Sequence, residues 1–137
     1  MLAMILVATS AVIILVLGSA HLVYTFVGPK LSPRSSDLQS AMESSSLVLT
    51  KETTMWKAWI GFNASHSMGA ILFGLIYGYL SLFQAELLFA SAYLMIVGAA
   101  MLTGLLTLAK LYWFSAPFIG IAVSLLCFIG GIVATTF

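Results

Sequence analysis

The chain has 137 residues, of which 62% are hydrophobic and 7% are charged, with a formal net charge of +1 at pH 7. Soluble domains average about 25% charged residues, so this composition excludes a water-soluble monomer. The balanced charge lacks the basic patch that nucleic-acid binding requires, so we expect no nucleic-acid partner. The chain is expected to be an integral membrane protein whose main surroundings are the lipid bilayer.

Four apolar runs are each long enough to cross a bilayer as a helix, which takes about 20 residues. Segments such as 119–123 do not alternate between apolar and polar residues, which argues against the strands of a membrane barrel. We predict an all-α integral membrane four-helix bundle that forms a single transmembrane domain over residues 1–137. The predicted spans are about 2–27, 58–82, 85–108 and 114–136, and residues 28–57 form the long connection.

The first span carries polar residues near its C-terminal end. Gly18, His21 and Thr25 recur at helical spacing, with Tyr24 beside them. The small residues at 18–20 resemble a signal-peptide cleavage site, but no positively charged segment precedes the apolar run. We therefore expect a retained membrane anchor.

The connection 28–57 is the water-facing segment of greatest length. Pro29 is expected to end the first helix, because proline lacks an amide hydrogen. Ser36 and Gln39 match a capping box, with Ser36 as the N-cap. We predict a short amphipathic helix on the cytoplasmic membrane surface, and a flexible serine-rich linker is the alternative. Its apolar residues are Leu38, Ala41, Met42 and Leu49.

The basic residues predict the orientation in the membrane. Four lie in the first connection and one lies in the short loop after the third span, so all share one face. They are Lys30, Arg34, Lys51, Lys57 and Lys110. Short basic loops stay on the cytoplasmic side, so both termini are predicted to lie outside, in the periplasm.

The second span provides the strongest candidate site. Residues three or four apart share a helix face, which aligns Asn63, His66 and Ser67. The same face continues through small residues that favour close helix packing, namely Ala70, Gly74 and Gly78. His66 is therefore predicted to point into the bundle, at a depth similar to that of His21.

Two histidines on facing helices permit two interpretations. They match the axial ligands of a b-type haem, with Asn63, Ser67 and Tyr24 as supporting residues. A zinc or copper ion would ordinarily need a third protein ligand. The alternative is that both rings form hydrogen bonds with neighbouring hydroxyl or amide groups. The haem is therefore a hypothesis about the cofactor, not a requirement of the sequence.

Spans three and four are interpreted as packing partners. Gly120, Ser124 and Gly131 supply small interfaces in the fourth span. Cys127 is the single cysteine, so a disulfide within the chain is excluded. No span has a charged residue at its centre, which disfavours a proton-coupled transporter.

Residues 53–69 have the sequence TTMWKAWIGFNASHSMG and follow a GSAH segment at 18–21. This pair of segments resembles a group of small bacterial four-helix integral membrane proteins of unknown function. The resemblance implies a location in the bacterial inner membrane and supports the focus on His21 and His66. It implies no particular chemistry.

Three functions remain open. We favour a small non-catalytic subunit that packs against a larger membrane complex or associates with itself. The second hypothesis is a haem-binding electron-transfer protein that uses His21 and His66. The third is a binder or enzyme for a lipid-soluble small molecule, with Asn63, His66 and Tyr24 lining its site.

Overall fold

The computed structural model describes residues 1–135, and that range contains six helices. In chain order they are α1 (Leu2–Phe26), α2 (Ser36–Ser44), α3 (Met55–Phe83), α4 (Ala85–Ala90), α5 (Ala92–Tyr112) and α6 (Ser115–Val133). Helices α1, α3, α5 and α6 are long and apolar enough to cross a membrane. The prediction of an all-helical protein with four candidate membrane spans is therefore confirmed for the described residues.

The first connection begins with a tight turn. Gly28 has a φ of 79°, which is the left-handed conformation that glycine adopts without steric cost. The amide of Ser32 then donates to the carbonyl of Pro29 at 3.1 Å. The turn directs the chain from the end of α1 toward α2.

Helix α2 forms inside the connection, where the sequence predicts a short helix. Its N-cap is Ser35, whose Oγ accepts the amide of Leu38 at 3.3 Å. The prediction of Ser36 as the cap was wrong by one residue, because Ser35 has the extended backbone (φ −92°, ψ 123°) that an N-cap needs. The side chain of Gln39 donates to a carboxylate one turn later and does not reach back to the cap.

The structure divides the predicted third span, 85–108, between two helices. Helix α4 is separate, and the chain leaves helical geometry at Ser91 (φ −98°, ψ 98°). Ser91 is the N-cap of α5: its hydroxyl oxygen accepts a hydrogen bond from the amide of Leu94 at 3.3 Å. Amides in the first turn of a helix have no partner within the helix, so this bond stabilises the start of α5. Helix α5 then continues to Tyr112, past the predicted end.

The chain forms two compact units. One contains residues 1–17 and 70–135, and we call it the apolar unit. The other contains Gly18–Gly69, and we call it the histidine unit. Helices α1 and α3 each contribute one part to each unit.

The core of the apolar unit combines aromatic packing with buried hydrogen bonds. Phe73 stacks on Tyr77 with ring centroids 4.5 Å apart, and Phe128 meets Tyr77 edge-on at 5.4 Å. Ser124 on α6 donates its hydroxyl proton to the carbonyl of Ser10 on α1 at 3.0 Å, and the two hydroxyl oxygens lie 2.8 Å apart. Such interhelical bonds stabilise membrane helix pairs by about 0.6–2 kcal/mol.

Candidate functional site

The histidine unit brings His21 of α1 and His66 of α3 into direct contact. Their ring centroids are 5.5 Å apart and their planes lie at 83°, which is an edge-to-face arrangement. Separations of about 4.5–7 Å are typical of favourable ring pairs. The two residues that the sequence selects as a site are therefore neighbours in space.

Asn63 lies behind this pair and is buried. Its Nδ2 donates to the carbonyl of Trp59 at 2.8 Å, which leaves its Oδ1 as an acceptor. His21 donates to that Oδ1 through Nε2, at 3.0 Å. Because an amide oxygen can only accept, the proton of the His21 imidazole lies on Nε2.

Two buried hydroxyls next to the histidine pair bond to the backbone of their own helices. Ser67 donates to the carbonyl of Asn63 at 2.8 Å, and Thr25 donates to the carbonyl of His21 at 2.8 Å. In a membrane helix, where no water is available, such a bond gives the hydroxyl group a hydrogen-bond partner. Ser67 is thus tied to the backbone of Asn63 and supports the cluster through that helix turn.

The aromatic residues at the edge of the unit contact the first connection. Trp59 donates its indole Nε1–H to the carbonyl of Leu31 at 3.0 Å, a contact that sequence reasoning missed because it joins residues far apart in the chain. The ring of Tyr24 receives the ammonium of Lys30, which lies 3.8 Å from the ring centroid. Tyr24 was predicted to support the histidines, and the structure places it in this cation–π contact.

His21 and Asn63 form a hydrogen bond that links α1 to α3, and we call this link the brace. The geometry of His21 and His66 fits this structural role better than metal ligation. Within residues 1–135, no group of three or more His, Cys, Asp or Glu side chains is placed to hold a metal ion. A haem between His21 and His66 would need a gap for the porphyrin between rings that are in contact. It would also need the Nε2 that now donates to Asn63. As placed, the two rings do not fit axial ligation.

The predicted packing residues all lie in the apolar unit. A Cβ placed on Gly74 would be 2.6 Å from the Cβ of Leu15, and one on Gly131 would be 2.6 Å from Cγ2 of Val7. Either glycine therefore permits close approach to α1. Ala70 is buried, and Ser124 donates a hydrogen bond to the carbonyl of Ser10. A Cβ placed on Gly78 or Gly120 would lie 3.7 Å or 2.9 Å, respectively, from a side chain of α1.

A second set of small residues follows α3 on the side away from Asn63. Gly61, Ser65 and Gly69 are spaced four apart, and we call them the open ridge. A Cβ placed on either glycine would meet no atom within 4 Å. Sequence reasoning missed this ridge because it followed the face that contains His66, although the four-residue spacing was visible.

No family model, curated protein or solved structure matches this chain. The resemblance drawn from the two sequence segments therefore stays a prediction, and the candidate site rests on its geometry alone.

Proposed function

We propose that this protein is a small non-catalytic membrane subunit that packs against another membrane protein through the open ridge. In lipid, helices associate mainly where small residues let their backbones approach closely. Gly61, Ser65 and Gly69 meet this condition, and the open space at both glycines is the observation that carries the proposal.

The surroundings of the open ridge support this role. The hydroxyl of Ser65 donates to the carbonyl of Phe62 at 3.0 Å, so it adds no unsatisfied polar group to the face. Phe62 and Met68 flank the ridge and are 71% and 63% exposed. Large apolar side chains beside a row of small residues form a shallow groove on the helix surface, and a second helix packs into such a groove.

The histidine pair has a structural role in this proposal. His21 and Asn63 connect α1 to α3, and Ser67 ties Asn63 to the next turn of α3. The brace fixes the rotation of α3 about its axis. The open ridge is thereby held on the side away from α1.

We further propose a location in the bacterial inner membrane with both termini on the outer side. The positions of the five basic residues support this orientation. Helix α2 has no buried residue and presents Leu38 and Met42 on one side, as a helix on the cytoplasmic membrane surface would.

The proposal is tested by extracting the tagged chain into native nanodiscs and measuring the mass of the particles. We expect a complex larger than a monomer, made either with itself or with another protein. Gly61→Leu combined with Gly69→Leu should reduce it to a monomer. Gly104→Leu is the matched control, because its Cβ also meets nothing within 4 Å but lies on α5. A wild-type monomer would contradict the proposal.

A second candidate is a site for a lipid-soluble molecule at the histidine pair. It is favoured by one observation: His21 and His66 are partly exposed, whereas Asn63 and Ser67 behind them are buried. The pair therefore reaches the surface of the two helices. A lipid or quinone that stays bound to the wild type and is lost in His66→Ala would favour this function.

A further inference from the structure

A groove of about 400 Å³ lies in the histidine unit, apart from the open ridge and the histidine pair. It is lined by residues 30–33 of the connection, by Leu38 and Met42 of α2, and by Trp59 of α3. Small-ligand sites span about 300–1,000 Å³, so the groove is large enough for part of a lipid.

The walls of the groove are apolar and held in place. Trp59 is fixed by its hydrogen bond to the carbonyl of Leu31 at 3.0 Å. Leu38 and Met42 are one helix turn apart, so both side chains lie on the same side of α2. Leu38 is 53% exposed although it lines the groove, so its apolar surface is available to a ligand.

Among the residues that line the groove, Lys30 carries the charge. The ammonium of Lys30 lies 3.8 Å from the centroid of the Tyr24 ring, which is uncharged and does not neutralise it. Arg34, Asp37 and Glu43 directly adjoin lining residues and are all exposed, so the charge that faces a ligand is assigned to Lys30 alone. Tryptophan and tyrosine side chains concentrate at the level of the lipid headgroups, so Trp59 and Tyr24 favour that depth for the groove.

We propose that this groove binds one anionic phospholipid from the leaflet on the basic side of the membrane. The phosphate contacts the ammonium of Lys30, and one acyl chain lies along Leu38, Met42 and Trp59. Charge complementarity selects an anionic headgroup, and the apolar walls select a lipid over a free phosphate. The proposal does not depend on the partner subunit.

The first test is native mass spectrometry of the full chain with dioleoyl phosphatidylglycerol or dioleoyl phosphatidylcholine. We expect one tightly retained phosphatidylglycerol and weaker retention of phosphatidylcholine. Lys30→Gln should weaken phosphatidylglycerol binding about fivefold, the effect of one basic charge near anionic lipid. Lys30→Arg should restore it. Lys51→Gln removes the same charge outside the groove and should have little effect.

The second test addresses the acyl chain. Met42→Asn should weaken binding of phosphatidylglycerol, whereas Val48→Asn, an exposed position outside the groove, should not. Circular dichroism checks that each variant keeps its helices. Equal binding of the two lipids, an equal loss in Lys51→Gln, or displacement of the lipid by millimolar inorganic phosphate would overturn the proposal.

Discussion

The two parts of α3 use small residues in opposite ways. In the apolar unit, a Cβ on Gly74 would lie 2.8 Å from the carbonyl oxygen of Ala11, so the glycine is already covered by α1. In the histidine unit, Gly61 and Gly69 face open space. Both parts have small residues four apart, yet the chain itself covers one set and leaves the other free.

This difference separates folding from association. Close helix contact in lipid depends on packing, because the lipid tails are as apolar as the side chains. A covered glycine therefore stabilises the fold, whereas an open glycine costs helix propensity of about 1 kcal/mol relative to alanine. An interface with another helix would offset that cost at Gly61 and Gly69.

The largest expected effect is that of Gly74→Leu on stability. The new side chain would overlap Leu15 and the backbone of Ala11, and overpacking of this kind costs about 1–3 kcal/mol or more. Gly61→Leu meets no neighbouring atom and should not destabilise the fold; its higher helix propensity should raise the free energy of unfolding by up to about 1 kcal/mol. Reversible unfolding in mixed micelles measures both. Equal destabilisation would remove the distinction between the two parts of α3.

A smaller effect is expected in the brace of the histidine unit. Asn63→Ala removes the acceptor of His21 Nε2–H and should destabilise the protein by about 1 kcal/mol. A double-mutant cycle with His21→Ala isolates the coupling between the two side chains. Ser65→Ala is the control, since its hydroxyl bonds its own helix and should contribute little. A coupling energy near zero would mean that the brace does not link α1 to α3.

The smallest effect is expected for His21→Ala and His66→Ala on the visible absorption spectrum of the protein. Because the rings of His21 and His66 are in contact, we expect no Soret band or reduced α-band in the gently purified protein, before or after dithionite. His21→Ala and His66→Ala should then leave the spectrum unchanged. A low-spin haem spectrum that either substitution abolishes would establish the haem hypothesis and show that the pair rearranges.

The sequence was sufficient to predict four helices long and apolar enough to cross a membrane, because long apolar runs determine them. It also identified the face of α3 that carries Asn63, His66 and Ser67, since helical periodicity determines which residues align. It did not predict the break at Ser91, where one side-chain hydrogen bond outweighs a continuous apolar pattern. Nor did it predict the bond from Trp59 to Leu31 or the pairing of Ser10 with Ser124, which depend on how distant segments meet.

The role proposed for the open ridge requires that Gly61, Ser65 and Gly69 contact another protein in the membrane. The most direct test attaches a benzophenone photocrosslinker to Ser65→Cys, on a Cys127→Ala background, and illuminates intact membranes. Met101→Cys is the control, because it is also exposed and lies a similar number of residues from the nearest lysine of its helix. We predict a discrete crosslinked protein band for Ser65→Cys and none for Met101→Cys. Crosslinking to lipid alone at both positions would contradict the account.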